Sequence, residues 1–430
     1  MINPVRPADA FGGTFPPPAT AAGATDSPLL ADHTTFRVGG PADRLVRAET
    51  EAELIAAVRQ ADRDHTPLLI LAGGSNVLVG DDGFPGVVVL VATRGRSVAW
   101  PPAATTPGGL VSGGAVFDGS ASLSAATSAA AASGGLVSGG AVFDRPTSPA
   151  PTTVPRPGAP VAAPPDAASV LVTVAAGEVL DDLVAWTVAQ GWSGLEALSG
   201  VPGLVGAAPV QNVGAYGAEL AAVVARVRVF DRRADRVRVL EAADCGFAYR
   251  DSDFKRRPDR HVILSLDLRL TPSNLSAPIR QAELARRLGV EPGATAPLAA
   301  VRRAVLELRR SKGMVLDPAD HDTWSAGSFF TNPLLAPAQA AALPAAAPRY
   351  RQPDGRVKLS AAWLIEQAGF PKGYGDGPAG LSSRHVLALT NRGQARAADI
   401  LALARTIRAQ VADRFGVTLE PEPVLVNCQL

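Results

Sequence analysis

Cysteine is almost absent from these 430 residues: Cys245 and Cys428 are the only two, and neither belongs to a CxxC pair. No disulfide framework or thiolate zinc site follows, and a reduced, cytoplasmic setting is expected. Cys245 reads as a small buried hydrophobe. Lysine is nearly as scarce, with Lys255, Lys312, Lys358 and Lys372 the only four among 41 basic residues. The bias follows genome composition, yet an ammonium and a planar guanidinium are not interchangeable, so each lysine is either a leftover surface residue or a chosen one. Neither sign of charge dominates. A net charge of +1 without a basic tract argues against nucleic acid or an anionic membrane as the main partner. No run of about 18 apolar residues occurs, and the stretch after Arg6 has no apolar core of a signal peptide. The histidines share no metal-ligand spacing, so no metal is expected, and His321 and His385 read as structural or rim residues.

Glycine, in contrast, is abundant and clustered. Ser199 to Gly217 holds five glycines, two prolines and the uncharged polar pair Gln211 and Asn212, with Tyr216 its only ionisable side chain. Glycines let backbone amides approach a ligand closely, and successive amides form an anion nest, so the segment reads as a phosphate cradle. A second cradle follows the apolar run Leu68 to Leu71, at Gly73, Gly74, Ser75 and Asn76. Two such loops point to an extended ligand carrying a diphosphate, although either alone is equally a turn.

The length and the 47% hydrophobic content allow two or three domains. Residues 1–27, rich in Pro, Ala, Gly and Thr, read as a disordered tail. Residues 28–100 form a first unit. Thr50 and Glu53 make a capping box for a helix from Glu51 to Asp64, and strands are expected at Leu68 to Leu71 and Val87 to Val91, giving a short βαββ unit. Residues 101–168 are low in complexity, and the eleven residues Gly108 to Asp118 recur unchanged at Gly134 to Asp144. Two copies cannot stack as a solenoid, so this is a flexible insertion or an arm that binds a partner through Phe117 and Phe143. Residues 169–271 resume order, beginning with Val170 to Gly177, with strands at Val227 to Asp231, Arg236 to Leu240 and His261 to Thr271, and a helix at Leu180 to Gln190. Residues 272–416 turn helical, at Pro297 to Arg310, Ala361 to Ala368 and Gln394 to Phe415. Residues 417–430 close the chain with a strand carrying Glu422.

Three further segments hold plausible chemistry: Phe247 to Ser252, Ser325 to Pro333 and Glu420 to Pro423. Together with the glycine loops, and in this order along the chain, they resemble the UDP-N-acetylenolpyruvoylglucosamine reductases. The resemblance covers residues 34–96 and 170–426 and is most specific at Gly200 to Gly217, Tyr249-Arg-Asp-Ser252 and Gly327-Ser-Phe-Phe330. It implies an α+β protein: a two-subdomain FAD-binding fold of the vanillyl-alcohol-oxidase (PCMH) type, then an α+β substrate-binding domain. It implies non-covalent FAD, NADPH as cosubstrate borrowing the substrate cleft, and UDP-N-acetylglucosamine enolpyruvate as acceptor, in a monomer working on peptidoglycan precursors. FAD would be held by Gly73, Gly74, Ser75, Asn76 and Val77, by Gln211, Asn212, Gly214, Ala215 and Tyr216, and by Ile263. The resemblance assigns hydride delivery to flavin N5, stabilisation of the resulting aci-carboxylate to Arg250 and Glu422, and carbanion protonation to Ser328. Lys312, Asn332 and Lys358 fall to substrate binding, and Tyr249 is either a substrate contact or a core aromatic. Two positions depart from the family pattern: Ala208 replaces a hydroxyl residue, and Gln281 stands where many relatives carry a tyrosine over the uridine. An oxygen-using flavoenzyme of the same fold and a non-catalytic flavin or UDP-sugar binder are the competing readings. The second has no need of Arg250, Ser328 and Glu422 together.

Overall fold

The structure is a computed structural model and describes residues 28–100, 152–153 and 168–430. The amino-terminal tail and nearly all of the duplicated insertion lie outside the described residues. In the first unit, strands Ala42–Ala48 and Leu68–Leu71 flank Phe84–Val91, all parallel. Parallel strands covered on both faces read as continuous apolar runs, and Val87 to Val91 are buried throughout. The helix Glu51–Arg63 starts at the expected capping box, where Thr50 Oγ1 accepts the Glu53 amide at 3.2 Å and Glu53 accepts the Thr50 amide at 3.1 Å.

The second unit is an antiparallel sheet in the order Arg236–Glu241, Val224–Asp231, His261–Pro272, Val170–Ala175, Arg96–Ala99 and Thr152–Thr153. Val262, Leu264, Leu266, Leu268 and Leu270 alternate onto one buried face of the long strand, as period-two spacing requires. Helix Leu180–Ala189 adds Leu180, Leu183 and Val184 to the same core. That core also takes Leu54 and Val58, so the Glu51 helix joins the two sheets. Arg228 pairs with Glu51, and Arg232 with Asp62, across this junction.

Beyond Pro272 the helices Ala282–Leu288 and Leu298–Ser311 enclose a small core of their own. A larger one forms around Ala361–Gln367 and Ala397–Phe415, with Phe329 and Phe330 inside. The closing strand is shorter than its composition suggested. Only Val424–Val426 is strand, pairing in parallel with Val77–Val79 directly after the first glycine loop. Pro421 and Pro423 have no amide to donate, so Glu422 lies in a connector between them. No helix among the described residues is long and apolar enough to cross a membrane.

Candidate active site

Both glycine loops line one cleft of about 720 Å³. They are pressed together by the absence of side chains: a Cβ on Gly73 would come 2.8 Å from Gly203 Cα, and one on Gly203 would come 2.4 Å from Ser75 Oγ. Gly74 (φ +56°) approaches the His33 carbonyl so closely that a Cβ would lie 1.9 Å from it. Polar side chains lock the same contact. Ser75 Oγ donates to the Pro202 carbonyl at 3.1 Å, and Asn76 Nδ2 donates to Gln211 Oε1 at 2.5 Å and to the Glu422 carbonyl at 3.3 Å. Gly74, Ser75, Asn76, Val77, Gln211 and Ile263 all line the cleft.

The remainder of the second loop is stitched to the turn that carries Arg250. Asn212 Nδ2 donates to the Ala248 carbonyl at 3.1 Å, Arg250 Nη2 to the Gly214 carbonyl at 2.8 Å, and Ser252 Oγ to the Val210 carbonyl at 2.6 Å. Asn212 itself is 1% exposed, outside the cleft wall, with its Oδ1 accepting the Ala221 amide. Its side chain therefore shapes the loop. Gly214, Ala215 and Tyr216 do face the cleft, and burial pushes the Tyr216 phenol up to about 12.

Arg250, Ser328 and Glu422 all line the cleft. Arg250 Nε stands 2.8 Å from Glu422 Oε1, although its N–H is not aligned on that oxygen, so the pair is held by charge. Burial raises the Glu422 carboxyl above the usual range, while Arg250 and Lys255 pull it back. The Glu422 amide donates to the Phe329 carbonyl at 2.8 Å, one residue from Ser328. Phe329 and Phe330 are fully buried stakes, and the Phe329 amide donates to the Leu387 carbonyl at 2.7 Å, so the backbone on the C-terminal side of Ser328 is fixed independently of its hydroxyl.

At the other wall Lys312 Nζ pairs with Glu283 at 2.6 Å and lies 5.7 Å from the Tyr216 ring centre. Asn332 lines the cleft, accepts the Ala361 amide at 2.9 Å and lies close to Tyr249. Tyr249 is half-buried behind the lining, with Lys358 Nζ 4.7 Å from its ring centre. Lys358 and Tyr249 thus reach the site through Asn332 and Arg250, and Gly73 supports the loop from behind. Gln281 caps helix Ala282–Leu288 by accepting the Leu284 amide at 2.6 Å.

A model of the C-terminal domain of UDP-N-acetylenolpyruvoylglucosamine reductase matches residues 317–426, and an FAD binding domain matches residues 42–140 and 165–240. The UDP-N-acetylenolpyruvoylglucosamine reductase of Cutibacterium acnes is 48% identical over 411 residues, covering 95% of this chain and 91% of its own. The chain belongs to the UDP-N-acetylenolpyruvoylglucosamine reductase family. The Thermobifida fusca reductase is also 48% identical, covering 93% of this chain and 97% of its own. The crystal structure of the Thermus caldophilus reductase superposes with a TM-score of 0.53 at 25% identity, over 93% of this chain and 97% of that one. As a member of this family the chain is an FAD-dependent oxidoreductase with the two-subdomain FAD-binding fold and a following α+β domain.

The residues of the reductase cleft fit a dinucleotide. Besides the two loops, the wall holds buried nitrogens that make no hydrogen bond among the described residues: both ring nitrogens of His261, whose Nε2 lies 3.6 Å from Asp231, and Nε of Arg309. Strand His261–Pro272 meets the loops where the Ala176 amide donates to the Leu264 carbonyl and the Gly206 amide to the Ala176 carbonyl. His261 lies three residues earlier on the same strand and lines the same cleft. No sequence motif marks His261 or Arg309, and the sequence reads His385 as a structural or rim residue. His385 lines the cleft, and burial, helped by Lys312 and Lys372, pushes it down to about 4. His321 packs against Trp324 with tilted rings whose centres are 4.3 Å apart, a structural position. Cys245 is fully buried, its thiol pushed up to about 12 by burial.

Proposed function

We propose that this reductase converts the enolpyruvyl ether of UDP-N-acetylglucosamine into UDP-N-acetylmuramate, with NADPH as electron source, and that Arg250, Glu422 and Ser328 carry the acceptor half of the reaction. The observation behind this reading is that the Arg250–Glu422 pair and Ser328 line the same cleft as the two glycine loops. FAD, when bound and reduced, would supply the hydride that the terminal carbon of the enolpyruvyl group accepts. The carbon–carbon double bond is consumed, and its electron pair is left on the carbon beside the carboxylate. Arg250 meets that charge as it spreads onto the carboxylate oxygens; a preorganised donor of this kind is worth about 3 kcal/mol. In its protonated form, which burial favours and the charges of Arg250 and Lys255 oppose, Glu422 adds a second donor on the same side. The Ser328 hydroxyl gives its proton to the carbanion carbon, a transfer favoured by the strong basicity of that carbon.

Lys312, Asn332 and the Tyr249–Lys358 stack behind it bind and orient the sugar nucleotide. With both loops assigned to FAD, NADPH and the sugar nucleotide take turns in the remaining space. Initial rates of NADPH oxidation test the reading. Oxidation that depends on the enolpyruvyl nucleotide, with parallel double-reciprocal lines and competition by excess nucleotide, is expected. Oxidation that needs only oxygen would replace the reductase reading with an oxidase, and intersecting lines would require separate sites.

A further inference from the structure

Arg250 occupies an unusual backbone position. Residues 248–251 form a tight turn closed by the Asp251 amide donating to the Ala248 carbonyl at 3.2 Å, and Arg250, its third residue, has φ +54°. That left-handed conformation is ordinary for glycine and strained for a long side chain, which persists there only when its surroundings hold it. The Gly214 carbonyl holds one end of the guanidinium and Glu422 attracts the other. The backbone is held by Lys255, whose ammonium donates to the Arg250 carbonyl at 3.1 Å. Lys255 reaches back from a four-residue helix, Asp253–Arg256, anchored by Ser252: its Oγ accepts the Lys255 amide at 3.3 Å and donates to the Val210 carbonyl.

Composition adds a second, independent sign. In a chain where arginine replaces lysine almost everywhere, Lys255 directly precedes Arg256 and Arg257. Those two arginines are taken up by carboxylates, Arg256 by Asp251 and Asp253 and Arg257 by Asp253. Among the described residues Lys255 makes no such pair; it lines the cleft and its charge acts on Glu422. A compact ammonium serves one carbonyl without presenting a planar fork that competes with Arg250 for the same carboxylate.

We propose that Lys255 is a positioning residue for enolpyruvyl reduction: its bond to the Arg250 carbonyl holds the left-handed turn that aims the Arg250 guanidinium at the substrate carboxylate. The proposal rests on the reading of Arg250 above, and the test separates the two. FAD-loaded wild type, Lys255→Met, Lys255→Arg, Arg250→Met and the Lys255→Met/Arg250→Met double variant are compared by stopped-flow flavin absorbance. Flavin bleaching by NADPH is followed first, then return of the colour with the enolpyruvyl nucleotide. Lys255→Met is expected to slow reoxidation by about 10- to 100-fold, the range of one hydrogen bond to a charged group, with bleaching within about twofold of wild type. Lys255→Arg, which still offers a cationic donor, should recover part of the loss. In the Arg250→Met background the second substitution should add little, because Lys255 acts through Arg250. A full additional loss in the double variant, equal slowing of both half-reactions, or loss of FAD from Lys255→Met would overturn the proposal. Should Arg250→Met itself reoxidise normally, the reading of Arg250 fails, whatever Lys255 does.

Discussion

Ser328→Ala separates the proton from everything else its loop does. The loop is held by backbone bonds at Phe329 and at Glu422, by the Gly327 amide on Ser325 Oγ at 3.2 Å, and by the buried rings of Phe329 and Phe330. None of these uses the Ser328 hydroxyl, so an alanine leaves the Arg250–Glu422 pair and both glycine loops in place. The expected loss is then that of one positioned acid, a factor on the order of 100 to 10,000. In activation free energy this is about 2.7 to 5.5 kcal/mol, with the upper end reached if no water takes the vacated position. Reduction of the flavin by NADPH involves no proton transfer to substrate carbon and should keep its wild-type rate. Rapid mixing under anaerobic conditions resolves the two halves: NADPH bleaches the flavin absorbance, and the enolpyruvyl nucleotide restores it. Wild-type reoxidation in the alanine variant would refute the assignment of Ser328 and shift the proton to Glu422 or to a water. Slowing of both halves would show that the substitution disturbs the cleft as a whole.

Two other predictions concern the cofactor loops and pH. Gly203→Ala places a Cβ 2.4 Å from Ser75 Oγ on a residue with φ +108°, so the Ser75 hydroxyl must leave the Pro202 carbonyl and the backbone is strained, and FAD affinity, read by flavin fluorescence, should fall by roughly 5- to 150-fold for the 1–3 kcal/mol that such strain costs. Adding Ser75→Gly should restore part of that affinity, and unchanged binding in Gly203→Ala would mean that the close approach is not needed. His385 is held down to about 4 in the folded chain against an ordinary 6.5, so the unfolded chain binds the extra proton between those values and stability falls as pH drops through that window. At about 1.4 kcal/mol per unit the difference between wild type and His385→Gln should change by on the order of 3 kcal/mol between pH 7.5 and pH 4, measured by urea unfolding; a difference that does not vary with pH would place His385 in an environment no drier than water.

Much of this was legible in the sequence wherever the cause is local. The capping box at Thr50 and Glu53 and the alternation from Val262 to Leu270 depend on neighbours a few residues away, and both are present as expected. The glycine loops were legible as loops, since only glycine tolerates contacts as close as those of Gly73 and Gly203. What a polar side chain in a loop faces is another matter, because its partner is set by residues far along the chain. Gln211 and Asn212 are adjacent and chemically alike, yet Gln211 faces the cleft and Asn212 is spent on Glu219, Ala248 and Ala221. No periodicity distinguishes them.

The same limit explains Glu422, whose importance the motif implied but whose support came from elsewhere. Its two prolines end the strand early. The connector is then fixed from outside, by Asn76 on the Glu422 carbonyl and by Phe329 on its amide, 346 and 93 residues away along the chain. Asn76 also bonds Gln211, so one side chain of the first glycine loop sets the spacing of the second loop and of the acid that partners Arg250. Cofactor loop and acceptor chemistry are therefore coupled mechanically: a change at Asn76 moves Glu422 as well as the cradle, and an effect of Asn76→Ala on reoxidation need not mean that Asn76 touches substrate. The half-reactions separate these causes, since displacement of Glu422 slows only the return of flavin colour, whereas a loosened cradle weakens FAD binding and both halves together.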